Sequence, residues 1–276
     1  MNSIYQHLRT YQRSRPEYWQ TLQVYGDIRY LQEMVMNFNQ KITAPIKPEL
    51  AQQRLLSGQA LLRATTVGIE PDLFRTLAQD LPLVLPPTWP LHAEVEQFLV
   101  RSSLTAIPPE QVAARYLTDR AGLLAELVAE TGVSWSAVAY VLHTLLGPFF
   151  EQAARTLQQF VADHLWSRGD CPICGSPPLM ARLLAQGGQR QLVCGLCQTE
   201  WVYPRTGCPF CGEGRPDNLP QFHLEGNRAY RVDTCRTCHH YLKTVDERQL
   251  QREAWPAMED IITAHLDILA QRQGFQ

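Results

Sequence analysis

All eight cysteines of the 276-residue chain fall between positions 171 and 238, and all are spent on four C-x-x-C pairs: Cys171/Cys174, Cys194/Cys197, Cys208/Cys211 and Cys235/Cys238. No other feature restricts the fold as much. A C-x-x-C turn aims two sulfurs at one point, and two such turns brought together offer four ligands to one ion. The first pair reads C-P-I-C-G and the third reads C-P-F-C-G, thirty-seven residues on. Set side by side, the two halves run through the same events. Each has a C-P-x-C-G turn, a strand, a glycine turn, a second strand and a second C-x-x-C. An aromatic-bearing tail follows, Q-T-E-W-V-Y in one half and H-H-Y-L-K-T in the other.

Between the inner cysteines lie nineteen residues in the first half and twenty-three in the second, which is hairpin length. Gly187-Gly188 and Gly226-Asn227 stand between the predicted strands as two-residue turn signals. The spacing predicts two tandem rubredoxin-like or zinc-ribbon modules. One ion would take Cys171, Cys174, Cys194 and Cys197, and the other Cys208, Cys211, Cys235 and Cys238. A cross-braced pairing, first pair with third and second with fourth, stays open. A module of about forty residues buries too little apolar surface to offset its chain entropy. Tetrathiolate binding supplies on the order of 10 kcal/mol toward folding. The glycine after each C-P-x-C is read as letting the backbone approach the sulfur. Four thiolates suit zinc as a structural ion, iron as one that also carries an electron, or an iron–sulfur cluster.

The rest of the chain has a different texture. The apolar fraction of 45% and charged fraction of 19% are those of a globular protein with a real core. Leu22, Tyr25, Ile28, Leu31 and Val35 recur at helical steps after Pro16. Further helices are expected near 48–63, 71–80, 91–104, 109–118, 121–131, 134–146 and 148–166, with a break at Gly147-Pro148. The proline-rich run 81–90 reads as an extended connector. A last helix from about 257 carries the apolar stripe Met258, Ile261, Ile262, Leu266 and Leu269. The expected fold class is multidomain α plus small β. An N-terminal all-α helical domain (1–168) is followed by two tandem rubredoxin-like/zinc-ribbon modules (169–206 and 207–245). A C-terminal helix (246–276) packs back on the core.

Several function classes lose support at this point. The N-terminus lacks an apolar signal core, and 137–150 falls short of the ~18 apolar residues of a spanning helix, so the expected location is the cytoplasm. Paired cysteines there are more often metal ligands than disulfides. C-R-T-C-H at 235–239 matches a haem-attachment signature, but the second module needs both cysteines and no haem is expected. His143 and His265 read as packed core histidines. No P-loop, G-x-S-x-G or G-x-G-x-x-G occurs, so no catalytic apparatus is expected. The net charge is -2, and 171–245 holds eight Arg/Lys against five acids, an excess too small for a nucleic-acid footprint.

The run W-S-R-G-D-C-P-I-C-G-S-P-P, the T-E-W after the second pair, C-x-x-C-x-x-Y-L-K ending at Lys243 and the closing L-D-I-L-A-Q-R-Q-G-F together resemble the FdhE family of formate dehydrogenase accessory proteins. R-P-E-Y-W at 15–19 fits as well. Val202 departs from the pattern, standing where a polar residue, often His, is expected. The resemblance implies a non-catalytic maturation factor for respiratory formate dehydrogenase. Such a factor binds the twin-arginine catalytic subunit in the cytoplasm before export, and its eight cysteines hold two ions, iron or zinc. Trp201, Arg205, Tyr241 and Lys243, which flank the second pair of each module, are candidate partner contacts. An electron carrier and a zinc-ribbon nucleic-acid binder are the alternatives.

Overall fold

Proline punctuation and apolar periodicity become helices up to residue 157 in the computed structural model, which describes residues 3–41, 46–223, 226–250 and 252–276. These are α1 (Ser3–Ser14), α2 (Trp19–Phe38), α3 (Pro48–Leu56), α4 (Pro71–Val84), α5 (His92–Arg101), α6 (Pro109–Thr118), α7 (Arg120–Thr131) and α8 (Trp135–Leu157). The chain groups into two compact units, Met1–Lys47 with Leu62–Thr156 and Pro48–Leu61 with Leu157–Gln276. Residues 48–61 thus group with the cysteine-bearing unit although the helical pattern runs on through them. Within that unit the Leu61 N–H donates to the Pro172 carbonyl of the first cysteine turn (3.0 Å).

In the first unit α2 packs on α1 and α4, and α8 supplies the most deeply buried face. The expected break at Gly147-Pro148 does not occur. A proline inside a helix forfeits one hydrogen bond and clashes with the carbonyl four residues back, at a cost of about 3 kcal/mol. Here Leu142, Leu145, Leu146, Phe149 and Phe150 are all 1% exposed or less on either side of Pro148, and each such burial contributes about 1.5–3 kcal/mol. The apolar face wins. The Thr144 carbonyl, left without its helical donor, accepts instead from Gln32 Nε2 at 2.8 Å. Gln32 is held in turn by Arg29 (3.1 Å), which also pairs with Glu151 at 2.8 Å.

The same balance extends α4 through Pro82 to Val84, into the run expected to be a connector. Pro82 lies in the last turn, where little hydrogen bonding follows it, and Leu81 and Leu85 beside it are buried. In contrast, the helix expected over 48–63 stops at Leu56, and Gly58 follows at φ +68°. His143 is exposed and His265 half-buried, so neither is a core histidine.

The second unit is built on six strands, β1 (Pro178–Leu183), β2 (Arg190–Cys194), β3 (Glu200–Val202), β4 (Gln221–Phe222), β5 (Tyr230–Thr234) and β6 (Tyr241–Asp246). They form one sheet in the order β3-β2-β1-β6-β5-β4. Pairing is antiparallel within each half, and the halves join through parallel β1 and β6, with Ala181 opposite Thr244 and Leu183 opposite Asp246. The duplicated halves are therefore side-by-side copies related by translation, with their cysteine turns at the same end of the sheet. The β1–β2 connection is a six-residue loop, 184–189, rather than a two-residue turn. Gly187 and Gly188 both take positive φ in it, and the Gly188 N–H closes onto Leu184. Gly226 is also at positive φ, while Leu224 and Glu225 of the second hairpin lie outside the described residues.

The C-terminal stripe forms two helices. After α9 (Glu247–Leu250), α10 (Pro256–Ile262) packs on β1 and β6, and α11 (Ala264–Arg272) on β5 and β6. They part at Thr263, whose hydroxyl bonds back to the Glu259 carbonyl at 2.6 Å. Met258, Ile262 and Leu266 are buried, while Ile261 and Leu269 are only half-buried. No single helix among the described residues is long and apolar enough to cross a membrane.

The Pro148 arrangement yields a double-mutant test. Gln32→Leu is expected to destabilise the helical unit by about 1–3 kcal/mol in denaturant titration, because it orphans a buried carbonyl. In a Pro148→Ala background the restored amide satisfies Thr144, and the same change should cost clearly less.

Candidate metal centres

Four turns of the same geometry carry the cysteines. In the first, the Cys171 N–H donates to the Ser176 carbonyl (2.9 Å), and the Gly175 N–H donates back to the Cys171 carbonyl (2.9 Å). Cys208 with Glu213 and Gly212, and Cys235 with His240 and His239, repeat the pattern, and Cys194 bonds to Thr199 likewise. The residue after each C-x-x-C has positive φ: Gly175 (+77°), Gln198 (+58°), Gly212 (+77°) and His239 (+59°). Left-handed backbone, rather than close approach, is what these positions require. A Cβ on Gly212 would meet nothing within 4 Å, which corrects the reason given for that glycine. The histidine of C-R-T-C-H has the same turn role. A close-approach glycine sits elsewhere, at Gly169, where a Cβ would fall 1.9 Å from the Pro209 carbonyl oxygen.

These turns gather the thiols into two groups, Cys171, Cys174, Cys194 and Cys197, and Cys208, Cys211, Cys235 and Cys238. The first pair meets the second and the third meets the fourth. The closest Sγ separations are 3.4–3.6 Å in the first group and 3.6 Å in the second. These are too long for disulfides and near the ~3.8 Å edge of a tetrahedron around a metal–sulfur bond of about 2.3 Å. In the first group the Ile173 and Cys174 amides point at Cys171 Sγ (3.4 and 3.5 Å), those of Leu196 and Cys197 at Cys194 Sγ, and the Thr199 hydroxyl lies 3.0 Å from Cys197 Sγ. Burial pushes the Cys171 thiol well above the ordinary thiol range, a penalty that a cation among the four sulfurs removes. Both groups fit a tetrahedral metal ion. The donor set does not distinguish zinc from iron.

The groups differ in exposure. All four cysteines of the first are buried, whereas Cys211 is exposed and Cys238 half-buried. A cavity of about 330 Å³ opens against Cys208 and Cys235 and is also lined by Phe210, Arg190, Arg205 and Arg231. Arg190 escaped notice in the sequence. Its side chain is 2% exposed, and its Nη1 donates to the Gly207 carbonyl just before Cys208 (3.0 Å) and more weakly to that of Pro204 (3.4 Å). Its guanidinium lies 5.7 Å from the ring centre of Tyr203, whose hydroxyl donates to the Cys208 carbonyl at 2.9 Å. The repeat itself carried the signal: Arg190 and Arg231 each stand four residues before the cysteine that opens a second pair.

The four candidate partner residues are placed differently. Trp201 is 3% exposed, with its indole N–H on the Arg168 carbonyl (3.1 Å). Lys243 is buried between Asp260 and Asp267, both at 2.7 Å, and the Tyr241 hydroxyl donates to Asp267 at 2.9 Å. Arg205 is exposed at the cavity.

Residues 170–205, which carry the first two cysteine pairs, match the model of the FdhE central domain. The family this chain is similar to is therefore FdhE. A protein FdhE homolog of Aquifex aeolicus is 33% identical over 53% of this chain and 52% of its own length. One from Stutzerimonas stutzeri is 31% identical over 67% of this chain and 62% of its own. The chain thus spans less than two thirds of the length of these two curated relatives. The crystal structure of the FdhE protein from Pseudomonas aeruginosa shares the fold, with a TM-score of 0.68 over 99% of this chain and 91% of that one, at 23% identity.

Unequal burial is expected to make the two centres unequal in retention. When the metal-loaded protein is mixed with a chelator, the Cys208/Cys211/Cys235/Cys238 centre is expected to release first. Cys171→Ser should lower Tm more than Cys211→Ser.

Proposed function

We propose that the chain is a non-catalytic maturation factor for respiratory formate dehydrogenase, binding the catalytic subunit in the cytoplasm before export. Similarity to the FdhE family, together with two tetra-cysteine groups at one end of a single sheet, is the observation that carries this reading. Metal stapling gives the sheet a fixed shape at small size, which suits a surface that another polypeptide must fit. In the helical unit, α2 leaves Tyr30, Met34 and Phe38 exposed beside Leu73 and Leu77 of α4, apolar area of the kind that partner surfaces use. Arg205 is the candidate contact whose exposure leaves it accessible, whereas Trp201, Tyr241 and Lys243 serve packing first.

Electron transfer is a second reading, favoured by the exposure of Cys211. It predicts a reversible one-electron couple in iron-loaded protein, and a redox-silent sample would eliminate it.

A tagged chain is expected to co-purify with a formate dehydrogenase catalytic subunit from cells making both, and Phe38→Asp to weaken that capture. Cells lacking the chain should lose most formate dehydrogenase activity. Unchanged activity would sink the proposal.

A further inference from the structure

Arg190 belongs to β2 of the first module, yet its guanidinium serves the second. It bonds the Gly207 and Pro204 carbonyls on the way into the Cys208 turn and approaches Asp233 of β5 at 3.3 Å. The burial is nearly complete, and its Nε finds no hydrogen-bond partner. Taking a guanidinium out of water costs several kcal/mol unless an anion compensates it. Asp233 is a poor candidate for that task on its own. It is engaged at 2.7 Å by Arg231 Nε and at 2.7 Å by the Thr244 hydroxyl, so two cations share one carboxylate. With Arg205 the cavity wall carries three guanidinium groups against that single carboxylate. Cys208 and Cys235 line the same cavity. Four thiolates around a divalent ion retain two negative charges, which is the anion the arginines lack.

We propose that Arg190 is the counter-cation of the second metal–thiolate centre, lent by the first module. The second module then holds its metal partly through a residue outside itself. This rests on the reading that Cys208, Cys211, Cys235 and Cys238 hold a metal.

Zinc release from the loaded full chain to a chromophoric chelator tests it, with Cys211→Ser identifying the phase that belongs to the second centre. If wild type and Cys211→Ser bind the same amount of zinc, the metal reading itself fails. Given two phases, Arg190→Gln should accelerate the second centre's phase by about tenfold or more, the usual effect of losing a residue that supports metal ligands, and leave the first centre's phase within about twofold. Arg190→Lys keeps the charge and should restore most of the difference. Asp233→Asn turns both guanidinium groups toward the sulfurs and should slow the same phase, a direction that a purely structural role does not give. The proposal is overturned if Gln and Lys behave alike, if both phases accelerate together, or if Asp233→Asn speeds release as Arg190→Gln does.

Discussion

Four sulfurs held 3.4–3.6 Å apart in a buried pocket cannot all be thiolates without a cation between them, and much of the second unit is arranged around that electrostatic demand. Backbone amides point at sulfur in the first centre. The turns that bring the sulfurs together need left-handed backbone after each C-x-x-C. Two of the four such positions are filled by Gln198 and His239, non-glycine residues that accept about 1–2 kcal/mol of strain there. Strain of that kind persists where surrounding bonds over-determine the conformation, and the N–H of the first cysteine in each pair is bonded to the carbonyl five residues on.

Two basic side chains of this unit, Arg182 and Lys243, are buried against carboxylates. Arg182 on β1 is 6% exposed and meets Glu247 and Glu200 at 2.6 Å, while Lys243 on β6 meets Asp260 and Asp267. The Arg182–Glu247 pair crosses from the first module to the segment after the second, and the Lys243 pairs tie β6 to the C-terminal helices. Removing one partner from such a pair costs more than the pair gains, because the remaining charge is stranded. The arrangement therefore fixes which element packs where more than it adds net stability.

The cysteine spacing made the two centres, the duplication and the aromatic tails legible before any coordinate, because a C-x-x-C pair encodes its geometry locally. What could not be read depended on partners distant in sequence. Pro148 looked like a helix end, and only the apolar residues around it together with Gln32, more than a hundred residues away, make its position inside α8 tenable. Pro82 misled for the same reason. Trp201 and Lys243 stood out because they flank the second cysteine pair of each module, whereas their surroundings, the Arg168 carbonyl, Asp260 and Asp267, come from other segments and could not be read locally. Nothing local announces that β1 and β6 pair in parallel. That pairing follows from placing two copies side by side.

A module of this kind, taken singly, has two open edges, the first strand and the third. The β1–β6 junction joins the first edge of one copy to the third edge of the next, a head-to-tail contact that does not close on itself. A lone module bearing both edges at full length would be a monomer for an endless ribbon. Fusing two copies uses one junction, and the outer strands, β3 with three residues and β4 with two, are too short to template another. Duplication thus converted an open polymer geometry into a finite sheet, its length set by how little edge remains.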